Sequence, residues 1–117
     1  MKCALTIFSA AAVLALASGQ TLANGNIAHG KQKATTCFAC HGVDGNAADP
    51  QYPRLAGQYN EYLQQALHEY KDGRRKNPIM MGMAAGLTDQ DIEDIAAYFS
   101  SLPSKLGTLQ GHIQGDK

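Results

Sequence analysis

Two thiols and an imidazole fall within five residues, Cys37-Phe38-Ala39-Cys40-His41. Cysteines three positions apart on a turn can each add to one of the two vinyl groups on neighbouring sides of a porphyrin, forming thioether bonds that staple the macrocycle to the chain. Because His41 follows Cys40 directly, its ring is directed at the centre of the same porphyrin face, where neutral imidazole is a good iron ligand. Thioredoxin-like dithiols and zinc sites use the same Cys-x-x-Cys, but neither needs the adjacent histidine. A zinc ribbon would want a second cysteine pair, and the only other cysteine is Cys3. A thioredoxin-like motif should follow an apolar strand, whereas Lys31 to Thr36 is polar. The pentapeptide therefore reads as the attachment site of one covalent haem c.

A second group able to bind iron lies further on. Residues 77–86 are apolar yet read as neither helix nor strand: Pro78 opens the run, and Met80, Met81 and Met83 crowd around Gly82. Loops rarely bury three thioethers, and a sixth iron ligand would account for one of them. Methionine opposite histidine is a low-spin electron-transfer pairing that raises the reduction potential. The competing reading is an apolar loop that docks a partner. Of the remaining histidines, His29 in a polar segment reads as solvated, His68 as exposed and His112 as unligated.

The elements that must position these groups are few. Residues 24–36 suggest a short helix interrupted by Gly30, which marks either a close approach of backbone or a frayed end. Residues 42–58 carry Gly42, Gly45, Pro50, Pro53 and Gly57, too many breakers for a helix and a loop long enough to wrap a haem edge. Within it the Pro53 carbonyl is a candidate acceptor for His41 Nδ1–H, which would set the ligand's tautomer. Residues 60–72 are the clearest helix, with Asn60 as N-cap, a stripe of Tyr59, Tyr62, Leu63, Ala66, Leu67 and Tyr70 expected to be plain core, and Gly73 at the end. Lys71, Arg74, Arg75 and Lys76 follow as a basic cluster: a solvated turn, or a group that pairs with haem propionates or meets an acidic partner. Thr88 and Asp91 form a capping box for a last helix that buries Ile92, Ile95, Ala96, Phe99 and Leu102 and stops at Pro103.

Composition bounds the rest. The 117 residues carry 10 Lys+Arg against 10 Asp+Glu, which gives no hint of nucleic-acid binding. Residues 1–23 read as a cleaved signal peptide: Lys2, an apolar run from Ala4 to Ala17 too short for a membrane span, and small residues at Thr21-Leu22-Ala23. Cys3 leaves with it, so no cysteine pair remains for a structural disulfide. Residues 104–117 read as a flexible C-terminal tail.

Four stretches together resemble a known family: Cys-Phe-Ala-Cys-His-Gly-Val-Asp-Gly at 37–45, Tyr-Pro-Arg-Leu-Ala-Gly-Gln at 52–58, the Met-Met-Gly-Met segment, and Leu-Thr-Asp-Gln-Asp-Ile-Glu-Asp-Ile-Ala-Ala-Tyr-Phe at 87–99. The chain resembles class I bacterial c-type cytochromes, and looks most like one half of the periplasmic dihaem kind called c-four. With only one C-x-x-C-H, it departs from the dihaem pattern. The resemblance implies an all-α class I cytochrome c fold over residues 24–103, short helices and loops wrapped around one covalently bound haem. It implies Cys37 and Cys40 as thioether sites, His41 as proximal ligand and Pro53 as its orienting carbonyl. Met80, seven residues before Leu87, is the implied distal ligand, with Met81 and Met83 as alternatives. Gly30 with Tyr98 and Phe99 matches a crossing of first and last helices. The implied activity is one-electron transfer in the periplasm between redox proteins, among them a membrane-bound oxidase or reductase, with no small-molecule substrate. The alternatives are a redox subunit of a dehydrogenase or oxidase, and a haem enzyme or gas sensor with a displaceable methionine.

Overall fold

The first helix, α1 (Ile27–Lys33), starts where Asn26 accepts the His29 backbone N–H on its side-chain oxygen, at 3.0 Å. The structure is a computed structural model and describes residues 25–107, so the expected signal peptide and most of the tail lie outside the described residues. From α1 the chain continues without a break through a 3-10 turn, Ala34–Cys37, into the single turn α2 (Phe38–His41). That continuity puts Cys37 and Cys40 one turn apart on one side.

Residues 42–59 contain no regular element, as the density of breakers requires. Internal hydrogen bonds hold this loop: the Leu55 and Ala56 N–H groups both donate to the Gly45 carbonyl, at 2.7 and 2.9 Å. Two further bonds tie it to the last helix, from Gly57 N–H to the Phe99 carbonyl at 3.0 Å and from the Tyr98 hydroxyl to the Val43 carbonyl at 2.5 Å. The loop is thereby a fixed wall.

α3 (Asn60–Lys71) begins one residue away from the expected cap. Tyr59 occupies the N-cap without a side-chain bond, and Asn60, inside the helix, instead accepts Gln64 Nε2. Gly73 follows the helix with φ +78°, the left-handed conformation that glycine adopts without penalty. The methionine segment, expected to be irregular, is helical: α4 spans Pro78–Ala84. Asn77 caps it by accepting the Ile79 and Met80 N–H groups at 3.1 and 3.2 Å, and Pro78 fits the first turn, where its missing N–H costs nothing.

α5 (Asp89–Ser101) carries the expected capping box, Thr88 and Asp91 bonding each other's backbone N–H at 3.1 and 3.0 Å. Ile92, Ile95, Ala96 and Phe99 are buried as expected, together with Tyr98, while Leu102 is half-buried. α1 crosses α5 at Gly30, where an added Cβ would stand 1.9 Å from the Asp94 carbonyl oxygen, so close approach is the reason for the glycine. All regular structure among the described residues is helical, in agreement with the all-α expectation.

The crossing is also ionic. Asp94, its side chain 2% exposed, receives His29 Nδ1, the Asn26 N–H at 2.6 Å and Gln90 Nε2 at 2.9 Å. His29, its side chain 41% exposed, is therefore an anchor between helices as well as a solvated side chain. Burial works against the Asp94 charge, but the three donors outweigh it and hold the carboxyl below the ordinary carboxylate range. Asp91, bonded chiefly to the Thr88 backbone and also to Lys33 at 2.9 Å, is lowered from 3.8 to about 2. A native carboxyl more acidic than its unfolded counterpart stabilises fully above pH 3.8 and loses that contribution as pH falls through about 2. Asp91→Asn is expected to cost on the order of 1 to 2 kcal/mol at neutral pH. It should also flatten the decline of the urea midpoint between pH 4 and pH 2, and an undiminished decline would rule Asp91 out as its source.

Candidate haem site

A cavity of about 390 Å³ opens among α2, the 42–59 loop, α3, α4 and α5. Cys37, Cys40 and His41 form one wall, and both cysteines are free thiols, half-buried. Burial pushes the Cys37 thiol above its ordinary range, with the Thr36 hydrogen bond pulling the other way. His41 is 5% exposed, and its Nδ1 donates to the Pro53 carbonyl at 2.8 Å. With Nδ1 committed, Nε2 is the nitrogen left to bind a metal. The Tyr52 ring meets the imidazole edge-on, centroids 6.4 Å apart, and restricts its rotation further.

The tyrosine and leucine stripe of α3 does not pack as plain core. Tyr62, Leu63, Ala66, Leu67 and Tyr70 line the cavity, and of these only Leu63 is buried. Helical spacing showed which face was apolar, and the face meets the cavity. Ile95, Ala96 and Phe99 of α5 close the back.

α4 completes the enclosure. Met80 and Met83, one turn apart, share the face toward the cavity. Met81 points elsewhere, its Cε 3.8 Å from the position a Cβ would take on Gly73. Met80 is half-buried, whereas Met83 is 49% exposed. Five groups singled out in the sequence, Cys37, Cys40, His41, Pro53 and Met80, thus surround one space, although His41 and Met80 are 39 positions apart in the chain.

The basic cluster does not form one face. Lys71 lies 3.6 Å from Asp89, and Arg74 lies 2.7 Å from Asp72 and 3.8 Å from Glu69, so these cations are matched at the surface. Arg75 turns inward to the cavity wall. Proximity in the chain groups these residues but does not show the direction of their side chains.

The donor set and the shape fit haem c: two free thiols one turn apart, an imidazole with one nitrogen spoken for, a thioether from another element, and an aromatic and aliphatic lining. Comparison with known proteins points the same way. The Cytochrome c family model matches residues 27–103. Cytochrome c4 of Pseudomonas aeruginosa is 47% identical over 96 residues, covering 82% of this chain and 48% of its own length. Cytochrome c-554(548) of Halomonas halodenitrificans is 50% identical over 80 residues, covering 66% of this chain and 96% of that protein. The crystal structure of reduced recombinant cytochrome c4 from Pseudomonas stutzeri superposes with a TM-score of 0.67 at 46% identity, over 71% of this chain and 48% of that one. The chain thus spans about half the length of the cytochrome c4 relatives it matches. Since the family match runs from α1 through α5 and takes in the whole cavity wall, this chain belongs to the cytochrome c family, whose members carry covalently bound haem c.

Proposed function

We propose that the chain is a periplasmic one-electron carrier with a single haem c, attached through Cys37 and Cys40 and ligated by His41 Nε2 and Met80 Sδ. The observation that carries this reading is the placing of His41 and Met80, from two different elements, on the wall of one largely apolar cavity. The chemistry that bound haem supplies is a reversible one-electron change between Fe(III) and Fe(II).

The residues of the chain have three tasks in this scheme. Pro53 and Tyr52 hold the imidazole in one tautomer and one orientation, so that little moves when the charge changes. The Asn77 cap fixes the first turn of α4 and, with it, the thioether. The α3 stripe and the α5 residues exclude water, which favours the less charged ferrous state. His41 and Met80 would both hold the iron, which would leave no coordination position for a substrate, and the partners would then be redox proteins that give and take electrons. Among the described residues no helix is long and apolar enough to cross a membrane, which is compatible with encounters between a free carrier and membrane-bound oxidases or reductases.

The test is a potentiometric titration of the purified haem-bearing protein, followed optically in the presence and absence of carbon monoxide. A single one-electron wave, with the reduced spectrum unaltered by carbon monoxide, is the expected result. Stoichiometric binding of carbon monoxide by the untreated protein would replace the carrier with a ligand-binding sensor or enzyme.

A further inference from the structure

The three methionines of α4 meet different surroundings. Met80 is half-buried on the cavity face, and Met81 is half-buried with its Cε 3.8 Å from the position a Cβ would take on Gly73. Met83 is the exposed one, at 49%. It shares the cavity face with Ile79, one turn earlier and 62% exposed, so the two stand at the rim where the cavity meets solvent. The chain around Met83 is open as well. Of residues 82–86 only Ala84 is buried, and nothing lies within 4 Å of the Cβ positions of Gly82 and Gly86.

These surroundings sort the sulfurs by reactivity. An oxidant must reach a lone pair on sulfur, and a thioether that is packed or holds a metal offers it poorly. Met80 has its sulfur engaged if it ligates the iron, and Met81 is shielded by the turn at Gly73. Met83 keeps a free sulfur at the surface, one turn from Met80. What oxidation makes there matters, because a sulfoxide is polar where the thioether was apolar. At the rim it draws water toward a lining that is otherwise aromatic and aliphatic, and water near the iron favours the more highly charged ferric state.

We propose that Met83 is a modification site for hydrogen peroxide, and that its sulfoxide lowers the reduction potential of the carrier. The inference rests on the reading that the cavity holds haem c with Met80 on the iron. In the reaction the peroxide O–O bond breaks and an S–O bond forms, sulfur giving up two electrons. The second peroxide oxygen leaves as water with both protons. A methionine sulfoxide reductase returns the thioether, so the change is reversible.

The ferric haem-bearing protein is treated with graded doses of hydrogen peroxide in the presence of a metal chelator, and fragment-ion mass spectrometry localises each added oxygen. Potentiometric titrations are run on the same samples. Met83 is expected to gain one oxygen at doses that leave Met80 and Met81 unmodified and the haem content unchanged. The ferrous-to-ferric ratio at fixed solution potential is expected to fall about threefold, and to recover when the sulfoxide is reduced enzymatically. Met83→Leu, apolar and without sulfur, is expected to hold its own starting potential through the same treatment, and Met81→Leu to respond as the wild type does. Oxygen appearing on Met80 or Met81 before Met83 overturns the sorting of the sulfurs. A Met83 sulfoxide that leaves the ratio unmoved, or an equal fall in Met83→Leu, overturns the link to the iron, and the enzymatic recovery in wild type decides that link if Met83→Leu does not mature. The pyridine haemochrome of the untreated protein keeps the two readings apart: a chain without covalent haem fails the haem reading itself, whereas a haem-bearing chain whose Met83 resists peroxide fails only the present inference.

Discussion

Met80→Ala is expected to abolish the far-red methionine-to-iron band of the oxidised protein and to lower its reduction potential by on the order of 100 mV or more. Met81→Ala should leave both intact. The distinction comes from helix geometry: α4 turns Met80 and Met83 toward the cavity and Met81 toward Gly73. Between the two that share the face, burial and capping favour Met80. Its own N–H is fixed by Asn77 at 3.2 Å, and its side chain is half-buried, whereas Met83 lies a turn further on and is 49% exposed. A thioether is a weak neutral ligand and stays on iron only if the chain holds it there against water. Loss of the band in Met83→Ala with its retention in Met80→Ala would move the role one turn along α4. Loss in Met81→Ala would discard the helix-face argument altogether.

What could be read in the sequence was chemistry with a short, strict spacing. Cys37, Cys40 and His41 declare a haem attachment because few other uses need two thiols and an imidazole so arranged. Thr88 and Asp91 declare a helix start because both partners of the capping box are local. Local signals also existed for α4, in Asn77 as cap and Pro78 in the first turn, but Gly82 and the absence of a polar face hid them. The α3 stripe was legible as a period and not as a destination, since an apolar face looks the same whether protein or a prosthetic group covers it. His29 and Asp94 are 65 residues apart, and nothing local marks either as the other's partner. Arg75 shows the same limit: four basic residues in a run looked equivalent until the fold turned one of them to the cavity wall.

Gly30→Ala is expected to destabilise the haem-bearing protein by at least about 3 kcal/mol, read from the urea midpoint, and to reduce the yield of haem-bearing chain. The added carbon would lie 1.9 Å from the Asp94 carbonyl oxygen and 2.4 Å from its carbon, and both are backbone atoms that no rotamer change can move. α1 must therefore retreat from α5 by on the order of an ångström, well short of which van der Waals contacts are already lost. The retreat pulls on the bonds that Asp94 receives from His29 and the Asn26 N–H, leaving a buried carboxylate short of donors. It also reaches the cavity, because α1 runs without a break through Ala34–Cys37 into the turn that carries Cys40 and His41. Gly82→Ala is the matched control: nothing lies within 4 Å of its added carbon, and alanine suits the interior of α4. That variant should keep or raise stability by up to about 1 kcal/mol. If Gly30→Ala unfolds at the same urea concentration as Gly82→Ala, the two helices do not meet backbone to backbone, and the cavity wall is not braced through their crossing.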